Sequence, residues 1–137
     1  MCLITDIKTE FIAEEDMTVY KMLRETENPS IVSSIFQSFY YDLDRLYTTE
    51  IKKSKDFCPY DEKDVEYLKS KYSFDWTLSI NELMSIGQGF HSALDKKRFM
   101  DDSHPVFECT IPKGSIFYKN ATGLIVSNQI IIKCLAN

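Results

Sequence analysis

Residues 87–99, GQGFHSALDKKRF, hold the side chains of this sequence that most directly predict chemistry. Gly89 can adopt a positive φ, Phe90 can anchor in a core, and His91 then stands beside Ser92, a residue type favoured at helix N-caps. A helix that begins after Ser92 presents free backbone N–H groups, which bind anions such as phosphate. The stretch therefore predicts an anion site built from these amides, the serine hydroxyl and the imidazole. The same residues also suit a plain capped turn in which Phe90 packs and His91 bonds a carbonyl.

A second group of candidates is aromatic. Phe36, Phe39, Tyr40, Tyr41 and Tyr47 lie within twelve positions of one another. Such rings bind bases and nicotinamide by stacking, and tyrosine hydroxyls can orient the bound ring. The chain also has nine Phe and eight Tyr, so most of its aromatic side chains must simply pack in the core. We predict that Phe39, Tyr40 and Tyr41 contact a ligand.

Polar residues interrupt the carboxyl-terminal β region. Ser127, Asn128 and Gln129 stand inside the otherwise apolar run at residues 123–135. Because a buried polar group must find a partner or face an opening, we predict that Asn128 and Gln129 orient the ligand. Lys113, in the turn IPKGS, is added as a ligand contact, although it also suits a solvated turn position.

Motifs that would identify an enzyme are missing from the sequence. It has no glycine-rich phosphate loop, no dinucleotide fingerprint, no H-E-x-x-H and no G-x-S-x-G elbow. The cysteines at positions 2, 58, 109 and 134 are scattered, without zinc-ligand spacing, and are predicted to be reduced thiols. We therefore predict no catalytic residue, no metal site and no cofactor.

Composition limits the classes of partner. The 137 residues, 44% of them hydrophobic, suffice for one core, so residues 1–137 are predicted to form a single globular domain. A net charge of −5 disfavours a duplex nucleic acid partner, which requires a concentrated basic face. The sequence has neither a signal-peptide pattern nor the roughly 18 consecutive apolar residues of a membrane span, which predicts a cytoplasmic protein without a membrane partner. The oligomeric state stays open.

Periodicity predicts an α+β fold of mostly antiparallel sheet with two short helices. Strands are expected at 2–8 and 17–23, joined as a hairpin, and at 45–51, 106–111, 115–119 and 123–135; residues 31–43 suit a buried strand or a short irregular segment. A turn is expected at 112–114. The helices are expected within YDEKDVEYLKSKY, residues 60–72, and over residues 93–101.

Four stretches carry a family resemblance: VYK (19–21), GFHS (89–92), ECTIPKGS (108–115) and IVSNQIII (125–132). Together they resemble a family of small phage and gut Bacteroidetes proteins to which no function is attached. The order of an early strand, a Gly-aromatic-polar-Ser segment opening a helix, a Pro-Lys-Gly turn and a final strand is also similar to the ADP-ribosyltransferase fold. That fold implies an NAD-binding cleft between two small sheets.

The resemblance implies a binder more than an enzyme. Such transferases place a catalytic carboxylate on a late strand, where this chain has Ser127, Asn128 and Gln129. We therefore predict non-catalytic binding of a nucleotide-like or anionic small molecule, by analogy with phage proteins that sequester a host immune signal. One alternative is transferase or NAD-cleaving chemistry, with Gln129 or Glu108 in place of the acid. Another is a protein-interaction module that inhibits a host partner through its acidic surface.

Overall fold

The computed structural model of the chain describes residues 3–6, 10–35, 39–54, 83–99, 104–120 and 123–136. These residues form fourteen strands and one 3₁₀ turn, Lys96–Phe99. The strands are β1 Leu3–Asp6, β2 Glu10–Ile12, β3 Met17–Met22, β4 Arg24–Glu25, β5 Ile31–Ser33, β6 Tyr40–Asp42, β7 Leu46–Thr48, β8 Lys52–Ser54, β9 Leu83–Gln88, β10 Phe90–Ala93, β11 Val106–Ile111, β12 Ile116–Lys119, β13 Leu124–Ser127 and β14 Gln129–Leu135. Within this part of the chain, no helix has the length and hydrophobicity needed to cross a membrane.

The prediction of an α+β fold with two short helices is wrong, because the described chain is nearly all β. The helix expected over residues 93–101 is replaced, in its described part 93–99, by the end of β10 and by the 3₁₀ turn. Ser92 lies inside the strand, and it is Asp95 that caps the turn, its Oδ1 accepting a hydrogen bond from the Lys97 N–H at 2.9 Å. The second expected helix, residues 60–72, lies outside the described residues. The likeness to the ADP-ribosyltransferase fold thereby loses the helix on which it depended.

Strand pairing explains why no helix begins at Ser92. All four residues of β10 have partners in β13, and Ala93 also pairs with Tyr20 of β3. Ladder hydrogen bonds along a central strand occupy backbone groups that a helix start would leave free. The tertiary pairing therefore overrides the local capping signal.

All strand pairs in the described residues are antiparallel and form three sheets. An eight-stranded sheet has the order β2-β12-β13-β10-β3-β11-β14-β7, and two three-stranded sheets have the orders β1-β9-β8 and β4-β5-β6. The strands expected at 17–23 and 106–111 are confirmed, as is the turn at 112–114. The expected hairpin between the first two predicted strands is wrong, because β1 pairs with β9.

Consecutive strands bend from one sheet into another at two places. β9 leads through Gly89 into β10, and β7 leads through residues 49–51 into β8. Asn128 separates β13 from β14, which both belong to the eight-stranded sheet. Since β8 pairs with β9 while β7 pairs with β14, the chain turns a corner where these three segments meet. Bends of this kind are how strands pass between sheets packed across one another. The predicted single strand over 123–135 is therefore two strands.

The main core lies on one face of the eight-stranded sheet. Phe107, Cys109 and Ile111 alternate with less buried neighbours along β11, and Val19 of β3 stands opposite Cys109. Tyr41 of the β4-β5-β6 sheet belongs to the same cluster, so that sheet contributes to this core. Fully burying an aliphatic side chain contributes roughly 1.5–3 kcal/mol, which makes this two-residue periodicity the main determinant of register.

A second, smaller cluster forms around Val126, with Ile86 and Tyr118. Val126 alternates with Ile125, which belongs to the main core, so the small cluster lies on the other face of β13. The sheet is therefore buried on both faces near its corner.

Candidate functional site

A cavity of about 440 Å³ lies where the corner meets the β4-β5-β6 sheet. Its volume falls in the range typical of small-molecule sites. The lining residues are Phe39, Tyr41, Tyr47, Thr48, Thr49, Gly87, Gln88, Gly89 and Phe90. None of these nine carries a formal charge at neutral pH, so the cavity suits an uncharged ligand.

Aromatic rings form one wall of the cavity. The ring centroids of Phe39, Tyr41 and Tyr47 lie 4.8 to 5.8 Å apart with steep interplanar angles, and Phe90 lies 6.3 Å from Tyr41. Edge-to-face packing of this kind fixes the rings relative to one another. Phe39 remains 42% exposed, so part of its surface is available to a ligand.

Another part of the lining is the glycine-rich segment Gly87–Gln88–Gly89. Gly89 has φ +147°, and a Cβ built there would collide with the side chain of Val126. Gly87 marks an irregularity, because the register passes from Lys52 opposite Gln88 to Lys53 opposite Ile86 and skips Gly87. Bulges of this type re-aim a strand and are frequent beside binding sites.

Neutral polar groups complete the lining. The Gln88 Nε2 donates to Thr49 Oγ1 at 3.3 Å, and the Thr49 N–H donates to the carbonyl of Asn128 at 2.9 Å. The Tyr47 hydroxyl accepts a hydrogen bond from the Asp42 N–H at 2.7 Å. Burial raises the pKa of Tyr41, so its phenol stays protonated. The polar part of the site therefore consists of amides and hydroxyls.

His91 lies beside this cavity but does not line it. Its Nδ1 is 3.2 Å from the Gly89 carbonyl, and because a carbonyl only accepts, this hydrogen bond places the ring proton on Nδ1. The Nε2 is buried and has no partner within the described residues. Burial lowers the pKa of His91, and the charge of Lys21 lowers it further. The imidazole is therefore neutral, and it stabilises the strand at Gly89 through this hydrogen bond.

The predicted anion site at Ser92 loses its main ligands, because the backbone groups after Gly89 belong to a paired strand. The Ser92 hydroxyl is buried, with the residue only 4% exposed, and it has no hydrogen-bond partner in the described chain. Without a helix start there is no set of free amides to receive a phosphate.

Lys21 is a feature that the sequence interpretation missed. Its Nζ donates to the His91 carbonyl at 2.7 Å, and its strand position faces Phe107 in the register of β3 and β11. Burial lowers the pKa of this amine to about 8. The signal was present in the sequence, since Lys21 continues the alternation of Met17 and Val19, the side that faces the core.

Asn128 and Gln129 stabilise the corner and are not among the residues that line the cavity. Asn128 Oδ1 accepts from the Ile116 N–H at 2.9 Å, and Gln129 Oε1 accepts from the Ser115 hydroxyl at 3.0 Å. Ser127 Oγ donates to the Gln129 carbonyl at 2.9 Å. These bonds satisfy the polar interruption that the sequence displayed, so the interruption is explained by a bend between strands.

Two other predicted contacts also lie away from the cavity lining. Tyr40 is 64% exposed, next to the buried Tyr41. Lys113 is exposed in its turn, where its N–H donates to Asp16 Oδ1 at 2.8 Å. Of the ten predicted site residues, the cavity brings together Phe39, Tyr41, Gly89 and Phe90.

Acidic and metal-ligating groups are not gathered at the cavity. Glu108, the suggested substitute for a catalytic acid, lies on β11 with its Oε2 3.9 Å from the Cys134 Sγ. Among the residues that the structure describes, no three His, Cys, Asp or Glu side chains come close enough to hold a metal ion.

The two described cysteines are expected to differ sharply in reactivity. Cys134 is exposed, whereas Cys109 is buried and its pKa is raised to about 12, mainly by burial. A rise from 9 to 12 lowers the thiolate fraction near neutral pH by about 1000-fold, and the thiolate is the nucleophile. We expect iodoacetamide to label Cys134 in the native protein and Cys109 only in urea, as read by peptide mass mapping. Equal native labelling of both would contradict a closed core around Cys109.

A scan against models of known protein families, a search of curated proteins and a search of solved structures each found no match to this chain. The resemblance to phage and Bacteroidetes proteins accordingly stays a prediction.

Proposed function

We propose that the chain is a non-catalytic binding domain whose ligand is a nucleotide-like small molecule, held by its uncharged ring in the aromatic cavity. The observation that carries the proposal is the meeting of three packed rings, Phe39, Tyr41 and Tyr47, with the glycine-rich segment around one cavity of about 440 Å³. Rings of this kind bind planar heterocycles by stacking and by burial of apolar surface.

The uncharged lining favours entry of the ligand's ring, and not of its phosphate, into the cavity. No formally charged residue lines the cavity, and the neighbouring His91 is held neutral. A carboxylate or phosphate transferred into this site would lose its hydration without gaining a partner of opposite charge. Phosphate groups of a nucleotide would therefore remain in solvent outside the cavity.

Phe39→Ala is expected to weaken ligand binding by about 5- to 150-fold, because stacking on one aromatic side chain contributes roughly 1–3 kcal/mol. Calorimetry with a panel of nucleobases, nucleosides, NAD, ADP-ribose and cyclic nucleotides measures this directly. Tyr40→Ala is the matched control, since Tyr40 is the next residue along the chain but is exposed and outside the lining.

The outcomes separate the proposal from its rivals. Tyr40→Ala is expected to bind as the wild type does. Equal binding by wild type and Phe39→Ala, or no binding by any member of the panel, would remove the cavity as the ligand site. Formation of a product from labelled NAD would instead favour an enzyme.

A further inference from the structure

We propose that the ligand's ring carries a cyclic amide edge, with adjacent N–H and C=O groups as in a pyrimidine base, and that the peptide groups of Gly87–Gly89 recognise this edge. The inference rests on the proposed function and specifies its ligand class. It starts from the wall that residues 87–89 form, where two of three consecutive residues have no side chain.

Glycine leaves its peptide groups uncovered at this wall. Gly87 is exposed and Gly89 is half-buried, and both line the cavity. A side chain at Gly89 would collide with Val126, so this segment of backbone lies tight against β13. Close approach of a ligand to main-chain donors and acceptors is one of the uses of glycine in a binding wall.

The ladder register leaves a backbone position without a strand partner at this wall. Gly87 is skipped between the pairs Lys52–Gln88 and Lys53–Ile86. The described part of β1 pairs with β9 only as far as Leu3 opposite Ile86, so within the described residues Gly87 has no register partner on either side. A ligand that enters the cavity covers these exposed peptide groups, and it must then replace water as their hydrogen-bond partner.

The remaining lining determines what kind of partner fits. A charged group is disfavoured by the uncharged lining, and a purely apolar ring would cover the Gly87 peptide groups without bonding them. A planar ring with an amide edge satisfies both requirements, because one of its faces contacts the exposed part of Phe39 while its edge pairs with main chain. Gln88, whose side-chain amide reaches Thr49, extends the polar strip.

The test compares uracil with 1,3-dimethyluracil, which keeps the ring and carbonyls but has no N–H. Titrations followed by calorimetry are expected to show uracil binding at least tenfold more tightly. In ¹⁵N-labelled protein, uracil is expected to shift the Gly87 amide resonance, and Phe39→Ala is expected to reduce that shift. The Gly114 amide, in an open turn away from the lining, is the internal control and is expected to stay unchanged.

The outcomes distinguish this inference from the proposed function. Binding of 1,3-dimethyluracil or toluene as tightly as uracil would overturn the amide-edge inference and leave a ring-binding cavity. Tight uracil binding that leaves the Gly87 amide unshifted would also overturn it, because recognition would then come from elsewhere. Failure of every ring compound to bind would overturn both proposals.

Discussion

Gly89→Ala is expected to destabilise the protein by roughly 3–5 kcal/mol, because two penalties act at one position. The backbone at Gly89 has φ +147°, a conformation that residues with a Cβ rarely adopt. The added methyl would also meet the Val126 side chain and lie 3.4 Å from the Ser127 carbonyl. Val126 is fully buried in the small cluster, so it has little room to move away. Urea unfolding followed by tryptophan fluorescence or circular dichroism measures the loss.

Gly114→Ala is the matched control for this change. Gly114 also has a positive φ, +88°, but a Cβ there would have no heavy atom within 4 Å. Only the backbone penalty then applies, about 1 kcal/mol or slightly more. Equal losses of unfolding free energy from the two substitutions would mean that Val126 of β13 does not pack against Gly89. The corner between β9 and β10 would then be wrong.

Some strands of this chain, such as β3 and β11, could be predicted from its sequence, whereas β10 was mistaken for the start of a helix. From Phe107 to Ile111 apolar and polar residues alternate, so a period of two could be recognised with no knowledge of the strand's partners. Ser92 followed by Ala93 and Leu94 satisfies the local rules for a helix start equally well. What decides against the helix is β13 lying alongside β10, a contact more than thirty residues away along the chain. Local pattern contains no information about such a contact.

The candidate site, like the fold, could be predicted only in part from the sequence. Phe39, Tyr41, Gly89 and Phe90, which were selected from the sequence as clustered aromatic residues and a glycine beside them, line the cavity, and two of them, Tyr41 and Phe90, also pack in the core. The bulge at Gly87 depends on a register shift against Lys52 and Lys53, which only the pairing reveals. Asn128 and Gln129 were correctly seen as polar groups needing partners, but the partners are Ile116 and Ser115 of a neighbouring segment. A sequence indicates that a polar residue needs a partner without indicating which partner it has.

Lys21→Met is expected to change how stability depends on pH, because Lys21 sits among core residues with its pKa lowered to about 8. Below pH 8 both the folded and the unfolded chain carry the charge, so the full cost of burying it is present. Between pH 8 and the ordinary value of 10.5, the folded protein releases the proton while the unfolded chain keeps it. Stability attributable to Lys21 therefore rises with pH across this window.

The expected size of this change in stability follows from the shift in the pKa of Lys21. A lowering from 10.5 to about 8 corresponds to about 3 kcal/mol, most of which is recovered by pH 10. Relative to Lys21→Met, the wild type should gain roughly 2–3 kcal/mol between pH 7 and pH 10. Urea midpoints of both proteins at matched pH values give this difference. Lys113→Met, which removes the same charge from an exposed turn, controls for the change in net charge.

Ionisation of Cys109 also changes stability with pH, so the effect of Lys21 must be measured as the difference between the wild type and Lys21→Met. Its pKa is raised from 9 to about 12, so above pH 9 the unfolded chain loses this proton while the folded protein keeps it. Stability then falls with pH, opposite to the contribution of Lys21, and the wild-type profile alone would show the two effects partly cancelled. Both Lys21→Met and the wild type contain Cys109, so its contribution largely drops out of their difference. Parallel profiles for the two proteins would contradict a buried, charged Lys21, and with it the ammonium that satisfies the His91 carbonyl behind the cavity wall.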